Sequence, residues 1–175
     1  MILIEIKDVK QLMNKLLIEE AFDKFLLSEA NIVSSNSYII DGHINKSFYT
    51  TEELENMRYE TEQQGRIFSE TMTRFENIKP ICLSLIKGKK TPVSFKFSFY
   101  LADENIEKFL KNSNQSLTRN DINGLVMNLK YAEQKLTITT AVSLKVFTLD
   151  KSIEKLWDSM VKKFLEANNI AYEEL

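Results

Sequence analysis

The residues best suited to binding chemistry form one compact basic turn, residues 87–91. Lys87, Lys89 and Lys90 surround Gly88, and Thr91 follows them. Lysines clustered on one turn raise the local positive potential, and backbone N–H groups can help such a turn to hold an anion. We predict that this turn binds a phosphate-bearing ligand or an acidic partner. The alternative is a solvated turn whose glycine ends a helix.

The basic turn does not match the nucleotide-binding P-loop. The first glycine of that motif is missing, and no Lys-Ser or Lys-Thr pair follows Gly88 in the required register. Lys96, on the strand that follows, extends the predicted binding surface. It shares the polar face of that strand with Tyr100, beside Lys130 and Lys145 of neighbouring strands. A basic face with an aromatic ring can contact nucleic acid or protein, and the alternative is an ordinary solvated sheet face.

Few residues offer catalytic or metal-binding chemistry. His43 and Cys82 are the single histidine and the single cysteine, whereas zinc sites use several such ligands and a triad needs a nucleophile and an acid. Cys82 falls on an apolar helix face, where a thiol acts as a small hydrophobe. The acidic side chains of the middle segment lack the spacing of a Mg²⁺ or acid–base site; they are Glu52, Glu53, Glu55, Glu60 and Glu62. We predict no catalytic residue, no metal site and no cofactor.

Composition and charge narrow the class of protein. The chain has 175 residues, 43% hydrophobic and 27% charged, which is typical of one globular domain spanning residues 1–175. Its net charge of −2 lacks the basic excess of a dedicated nucleic-acid binder. A lone cysteine suits a reducing compartment, and the N-terminal residues do not resemble a signal peptide. No apolar run approaches the roughly 20 residues that span a bilayer, so we predict a cytoplasmic protein without membrane contact.

Hydrophobic periodicity predicts the elements that position these residues. The predicted strands are residues 2–7, 25–33, 37–40, 93–101, 125–130 and 136–149, with a weaker strand over 66–73. The predicted helices are residues 8–20, 51–57, 78–87 and 103–112, and a last one that begins at 150–152 and ends at 168–169. Residues 43–65 read as a less regular polar segment, and residues 112–123 as the most loop-like stretch.

Local signals set several of these boundaries. Asp8 with Gln11, and Thr50 with Glu53, match the spacing of helix capping boxes. Pro80 is predicted in the first turn of its helix and Gly88 just past the end of that helix. Trp157 lies on the apolar stripe of the last helix. It is predicted to anchor the core, and the alternative is a contact with a partner subunit.

The order of elements predicts an α+β fold. A mostly antiparallel sheet is expected to pack against the N-terminal and C-terminal helices. A strand-helix-hairpin pattern occurs in residues 2–40 and again in residues 93–147. We therefore predict a β-α-β-β pseudo-repeat, which resembles the half-domain plan of sliding DNA clamps in element order alone.

Several segments resemble an uncharacterised family of bacterial proteins known only as a domain of unknown function. They are residues 4–10, 22–27, 41–46, 79–92, 144–152 and 157–158. Together they span most of the chain, so the resemblance is to a full-length family. It implies no activity, and no catalytic residue can be carried over from it.

Three hypotheses for the function follow. The first is a non-enzymatic binding or assembly module that uses the basic turn with Lys96. The second is a clamp-like nucleic-acid accessory protein, which at this length encircles DNA only as an oligomer. The third is an enzyme with a site assembled from carboxylates and lysines, which requires a deep pocket holding several carboxylates with perturbed pKa values. The sequence leaves the partner and the oligomeric state open.

Overall fold

A computed structural model describes residues 1–113 and 116–175 and confirms the α+β class. The predicted loop over residues 112–123 includes Asn114 and Gln115, which lie outside the described residues. Within the described part, the chain forms eight strands and five α-helices. The strands are β1 (Leu3–Ile6), β2 (Leu26–Val33), β3 (Ser37–Asp41), β4 (Thr73–Arg74), β5 (Ser94–Tyr100), β6 (Ile122–Ala132), β7 (Lys135–Leu144) and β8 (Tyr172–Glu174). The helices are α1 (Val9–Leu17), α2 (Thr51–Gln63), α3 (Phe75–Ile86), α4 (Asp103–Lys111) and α5 (Ser152–Ala167).

All the strands belong to one sheet in the order β3-β2-β5-β6-β7-β1-β8, and β4 pairs with β2 beside the end of β3. Every pairing in the described residues is antiparallel, as predicted. The hairpin between β6 and β7 turns at Glu133 and Gln134, which both have positive φ. Two such residues match the twist of a two-residue hairpin turn.

One face of the sheet carries the core. Phe95, Phe97 and Phe99 are buried on it, while the residues between them are half-buried or exposed. Helices α1, α3 and α5 bury their apolar residues in the same cluster, which places all three on this face. The prediction that the terminal helices pack on the sheet is confirmed.

The β-α-β-β order occurs twice, as predicted, but the two sets occupy the sheet differently. In the second set β5 and β6 are direct neighbours. In the first set β5, β6 and β7 lie between β1 and β2. The repeat in the sequence is therefore not a repeat of strand pairing.

Helix α3 begins three residues earlier than predicted, so the placement of Pro80 in its first turn is wrong, whereas its C-terminal end agrees with prediction to within one residue. The Phe75 N–H donates to the Phe25 carbonyl at 2.9 Å, so the helix starts where β4 ends. Pro80 therefore lies inside the helix, where it supplies no N–H to the preceding turn. The helix ends at Ile86 with Lys87 as its cap, so Gly88 lies just past the end as predicted, and it does so without a positive φ.

The segment predicted to be less regular, residues 43–65, contains the whole of helix α2. The predicted helix 51–57 continues to Gln63, and the capping box of Thr50 with Glu53 is present. No residue of α2 is buried. The exposed polar composition that suggested irregular structure is instead that of a solvated helix.

Two other boundaries differ from prediction, and one strand was not predicted. The weak strand over residues 66–73 is reduced to Thr73–Arg74. Strand β7 ends at Leu144 rather than at residue 149. Strand β8 was not predicted, because three mostly polar residues are too short a run to show an alternating pattern. It pairs with β1 at the edge of the sheet.

Candidate functional site: the basic groove

The basic turn, residues 87–91, forms one side of a groove whose opposite side is helix α1. We call this cavity, of about 620 Å³, the basic groove. The turn is anchored at both ends, because the Lys87 N–H donates to the Leu83 carbonyl and the Val93 N–H to the Val33 carbonyl, each at 2.8 Å. The fold therefore fixes the base of the turn beside the sheet.

Apolar side chains line the inside of the basic groove. Helix α1 contributes Val9, Met13 and Leu17, and helix α3 contributes Leu83 and Ile86. These residues extend the amphipathic faces that pack α1 and α3 on the sheet. The groove is therefore continuous with the hydrophobic core.

Two aromatic rings of neighbouring strands form the floor. Phe95 of β5 and Tyr131 of β6 are opposite each other in the strand register. Their rings stack with centroids 5.0 Å apart and an interplanar angle of 14°. Both side chains are buried, so they close the bottom of the groove and show little of their ring faces to solvent.

The rim of the basic groove is cationic. Four exposed lysines line it, and we call them the rim lysines: Lys10, Lys87, Lys89 and Lys90. Among residues 1–113 and 116–175, no carboxylate forms an ion pair with any rim lysine. The one carboxylate in the lining, Asp8, accepts from the Gln11 N–H at 2.9 Å as the cap of α1. The positive charge of the rim is thus uncompensated within the described chain.

Lys96 is separated from the basic groove, contrary to the single surface predicted for it and the basic turn. Because successive side chains of a strand point to opposite faces, Lys96 faces away from Phe95 and from the groove. It lies directly opposite Lys130 in the pairing of β5 with β6. Lys145 follows the end of β7, where its N–H donates to the Asp121 carbonyl at 2.8 Å.

Sequence reasoning missed the α1 side of the groove. Lys10 and Met13 look like ordinary residues of an amphipathic helix, and Tyr131 like a hairpin end. Their place in the site depends on how α1 packs beside α3, which no local pattern encodes. The cluster of Lys87, Lys89 and Lys90 was the one signal in the sequence that pointed to this site.

His43 takes part in a turn. Its backbone N–H and its ring Nδ1 lie 2.9 Å and 2.6 Å from Asp41 Oδ1. The hydrogen bond from that N–H, followed by the one from the ring, lowers the pKa of Asp41. Both side chains are exposed. The Asp41 carboxylate therefore holds a local turn over residues 41–43.

Cys82 is fully buried in the core cluster, as predicted for a structural cysteine. Burial raises the pKa of its thiol to about 12, so the reactive thiolate is scarce at neutral pH. We expect the folded protein to resist alkylation by maleimide and the denatured protein to react fully, as measured by intact-mass spectrometry. Rapid labelling without denaturant would contradict the buried position.

The acidic residues of the middle segment follow the exposed surface of α2. Among the described residues, no three His, Cys, Asp or Glu side chains are placed to hold a metal ion. Beyond α2, the pKa of Glu70 falls to about 2 because Arg58, and then Lys46, donate hydrogen bonds to it. All three side chains are partly exposed. This cluster connects α2 to the segment before β4.

A helix that crosses a bilayer must be both long and apolar. In the described part of the chain, no helix is both long enough and apolar enough to cross a bilayer.

Comparison with known proteins agrees with the resemblance found in the sequence. A search of curated proteins and a search of solved structures each found no match. The model of a protein family described as a family of unknown function, DUF5721, matches residues 15–173. That range includes the last three residues of α1 and the whole basic turn. The chain belongs to this family.

Proposed function

We propose that the protein is a non-enzymatic binding module that holds an acidic segment of a partner protein in the basic groove. The observation that carries the proposal is the combination of an apolar interior with four unpaired rim lysines in the described chain. Apolar side chains of a partner gain by burial in the groove. Carboxylates beside them meet the rim lysines, which raises the association rate and the specificity.

The chemistry of the lining favours a protein segment over a small molecule. Small-molecule sites orient their ligand with a few precisely placed polar groups inside an apolar pocket. In the described residues, every buried side-chain nitrogen and oxygen already has a hydrogen-bond partner. The rim lysines are exposed and make no fixed contacts. They therefore suit a partner protein whose own fold fixes the positions of its carboxylates.

The floor of the groove disfavours single-stranded nucleic acid. Bases bind such proteins by stacking on exposed aromatic faces along a basic channel. Phe95 and Tyr131 stack on each other and are 4% and 8% exposed, so neither offers a free ring face. An enzyme built from carboxylates and lysines needs several carboxylates in one pocket. Among the residues that the structure describes, Asp8 is the single carboxylate in the lining of the groove. We also propose a cytoplasmic location, supported by the buried free cysteine.

Charge reversal of the basic turn tests the proposal. Peptides are selected from a random displayed library on the wild-type protein, and their affinities are measured by fluorescence anisotropy. We expect the selected peptides to combine acidic and apolar residues. The triple Lys87/Lys89/Lys90→Glu variant is expected to bind them about tenfold or more weakly, since each exposed charge pair contributes about 0.2 to 1 kcal/mol and each reversal also adds repulsion.

The matched control is the triple Lys96/Lys130/Lys145→Glu variant. It changes the net charge equally, on residues outside the groove, and should keep wild-type affinity for the peptides. Equal loss in both variants would indicate a bulk charge effect, and selected peptides without acidic residues would overturn the proposal. Short double-stranded and single-stranded DNA is measured in parallel at low and near-physiological salt. Salt-sensitive DNA binding lost in the basic-turn variant would favour the clamp-like alternative instead.

A further inference from the structure

The two edges of the sheet are protected to different degrees. Strand β8, at one edge, has three residues and includes Glu173 and Glu174. Short edge strands and charged side chains are the usual devices that prevent a sheet from pairing with another chain. Strand β3, at the other edge, has five residues and neither lysine nor proline. Its exposed residues include Ile39, whose side chain is 71% exposed.

The outer side of β3 is open within the described chain. In that part of the chain, strand β3 pairs with β2 alone. Beyond its end, residues 42–44 bond to residues 71–73, and β4 in turn pairs with Leu26 and Leu27 of β2. The charge of β3 is confined to Asp41 at its end. The middle of the strand, Tyr38 to Ile40, is uncharged and apolar.

The pairing of β3 with β2 determines which backbone groups of β3 remain free on its outer side. The Gly42 N–H donates to the Ser28 carbonyl at 2.8 Å, and Ala30 is opposite Ile40. Because hydrogen-bonded positions alternate in an antiparallel pair, Tyr38 and Ile40 direct their backbone groups toward β2. Ser37, Ile39 and Asp41 direct theirs outward. In the described residues, no other group bonds these outward N–H and C=O groups.

We propose that β3 is a self-association edge at which a second copy of this chain pairs antiparallel about a twofold axis at Ile39. This register places Ile39 opposite its own copy and Ser37 opposite the partner subunit's Asp41. All three outward residues then exchange backbone hydrogen bonds. The register sets no like charges opposite each other, and the Ser37 hydroxyl can donate to the facing carboxylate. The two eight-stranded sheets become one continuous sheet.

Self-pairing fits this edge better than addition of a foreign strand. A twofold interface requires the same patch to complement itself. The outward residues of β3 are symmetric about Ile39 in backbone pattern, and the twofold axis places each charged Asp41 opposite an uncharged Ser37. Five residues per strand bury a small area, so the dimer belongs to the weak, reversible class. The inference is independent of the basic groove, because none of the residues lining the groove belongs to β3.

Register-specific cross-linking tests the proposal. In a hydrogen-bonded antiparallel pair, opposite Cα atoms are about 5.5 Å apart, within the range that a disulfide spans. The Ile39→Cys variant should therefore form a disulfide-linked dimer on mild oxidation. Ser37→Cys is the matched control. Its two copies would be separated by about 14 Å, the diagonal of about 13.6 Å along the strand (four residues at about 3.4 Å each) and a strand spacing of about 4.8 Å. Cys82 is buried in both variants.

Sedimentation equilibrium supplies the second measurement. The wild-type protein should dimerise as its concentration rises, and Ile39→Lys should weaken this dimer about tenfold or more, because two lysines then face each other across the axis. Ile81→Lys, a like substitution at an exposed isoleucine of α3, should leave the dimer unchanged. Circular dichroism verifies that each variant is folded. A monomeric wild type at all concentrations, or equal cross-linking of Ile39→Cys and Ser37→Cys, would overturn the proposal.

Discussion

Replacing Arg74 by methionine is expected to destabilise the protein by about 3 to 5 kcal/mol, the usual cost of removing one partner of a buried ion pair. The guanidinium of Arg74 lies 2.8 Å from Glu104 Oε1, and the two side chains are 9% and 11% exposed. It also donates to the carbonyls of Lys24 and Ile67, at 3.2 Å and 3.0 Å. Without Arg74, a carboxylate and two carbonyls lose their partner in a region that water reaches poorly.

The consequence extends beyond the pair itself, because Arg74 connects three parts of the chain. It lies in β4, its ion-pair partner is in the first turn of α4, and its carbonyl contacts are the segments before β2 and before β4. Glu104 Oε2 also accepts from the Ile67 N–H at 3.4 Å. We expect urea denaturation to show a lower midpoint for Arg74→Met than for the wild type.

A double-mutant cycle separates the lost interaction from the lost packing. The double variant Arg74→Met with Glu104→Leu removes both charges. It should recover much of the stability lost in Arg74→Met, since an apolar pair of similar volume often replaces a buried ion pair at little cost. Lys90→Met serves as the surface control. If Arg74→Met is no less stable than Lys90→Met, Arg74 is not a structural centre of the fold.

Arg74 also illustrates where sequence reasoning stops. The sequence suggested a weak strand over residues 66–73, which excluded Arg74, and nothing local separates this arginine from an exposed one. Its ion-pair partner is thirty positions further along the chain, so the pair exists only after β4 has joined β2 and α4 has packed beside them. Strand β1 shows the same limit. Its alternating pattern is evident in the sequence, but its position between β7 and β8 depends on long-range pairing.

Predictions that depend on neighbouring residues succeeded more often. The alternation of Phe95, Phe97 and Phe99 predicted β5 and its buried face, and Asp8 and Thr50 cap their helices. Capping and alternation are determined within a few residues, so the sequence displays them directly. The basic groove could be predicted only in part from the sequence. Its turn is visible as a cluster of lysines, whereas its α1 wall is created by tertiary packing.

Replacing Trp157 by alanine is expected to cost about 3 to 5 kcal/mol, the range for removing a large aromatic side chain from a core. Trp157 is 1% exposed and belongs to the central cluster. Its ring meets Phe109 of α4 edge to face, with centroids 6.5 Å apart. Its Nε1–H donates to the Val126 carbonyl of β6 at 2.9 Å, so the side chain joins α5 to the centre of the sheet. This burial assigns Trp157 to the core, as predicted, rather than to a subunit interface.

Trp157→Phe separates the hydrogen bond from the packing. Phenylalanine keeps most of the apolar volume but removes the hydrogen bond to the Val126 carbonyl, and such a bond contributes about 0.5 to 1.5 kcal/mol. Urea denaturation followed by far-ultraviolet circular dichroism should therefore rank the wild type above Trp157→Phe and Trp157→Phe above Trp157→Ala. Exposed Phe147 is the control, and Phe147→Ala should leave the midpoint nearly unchanged. Equal losses at positions 147 and 157 would contradict the assignment of Trp157 as the anchor between α5 and the sheet.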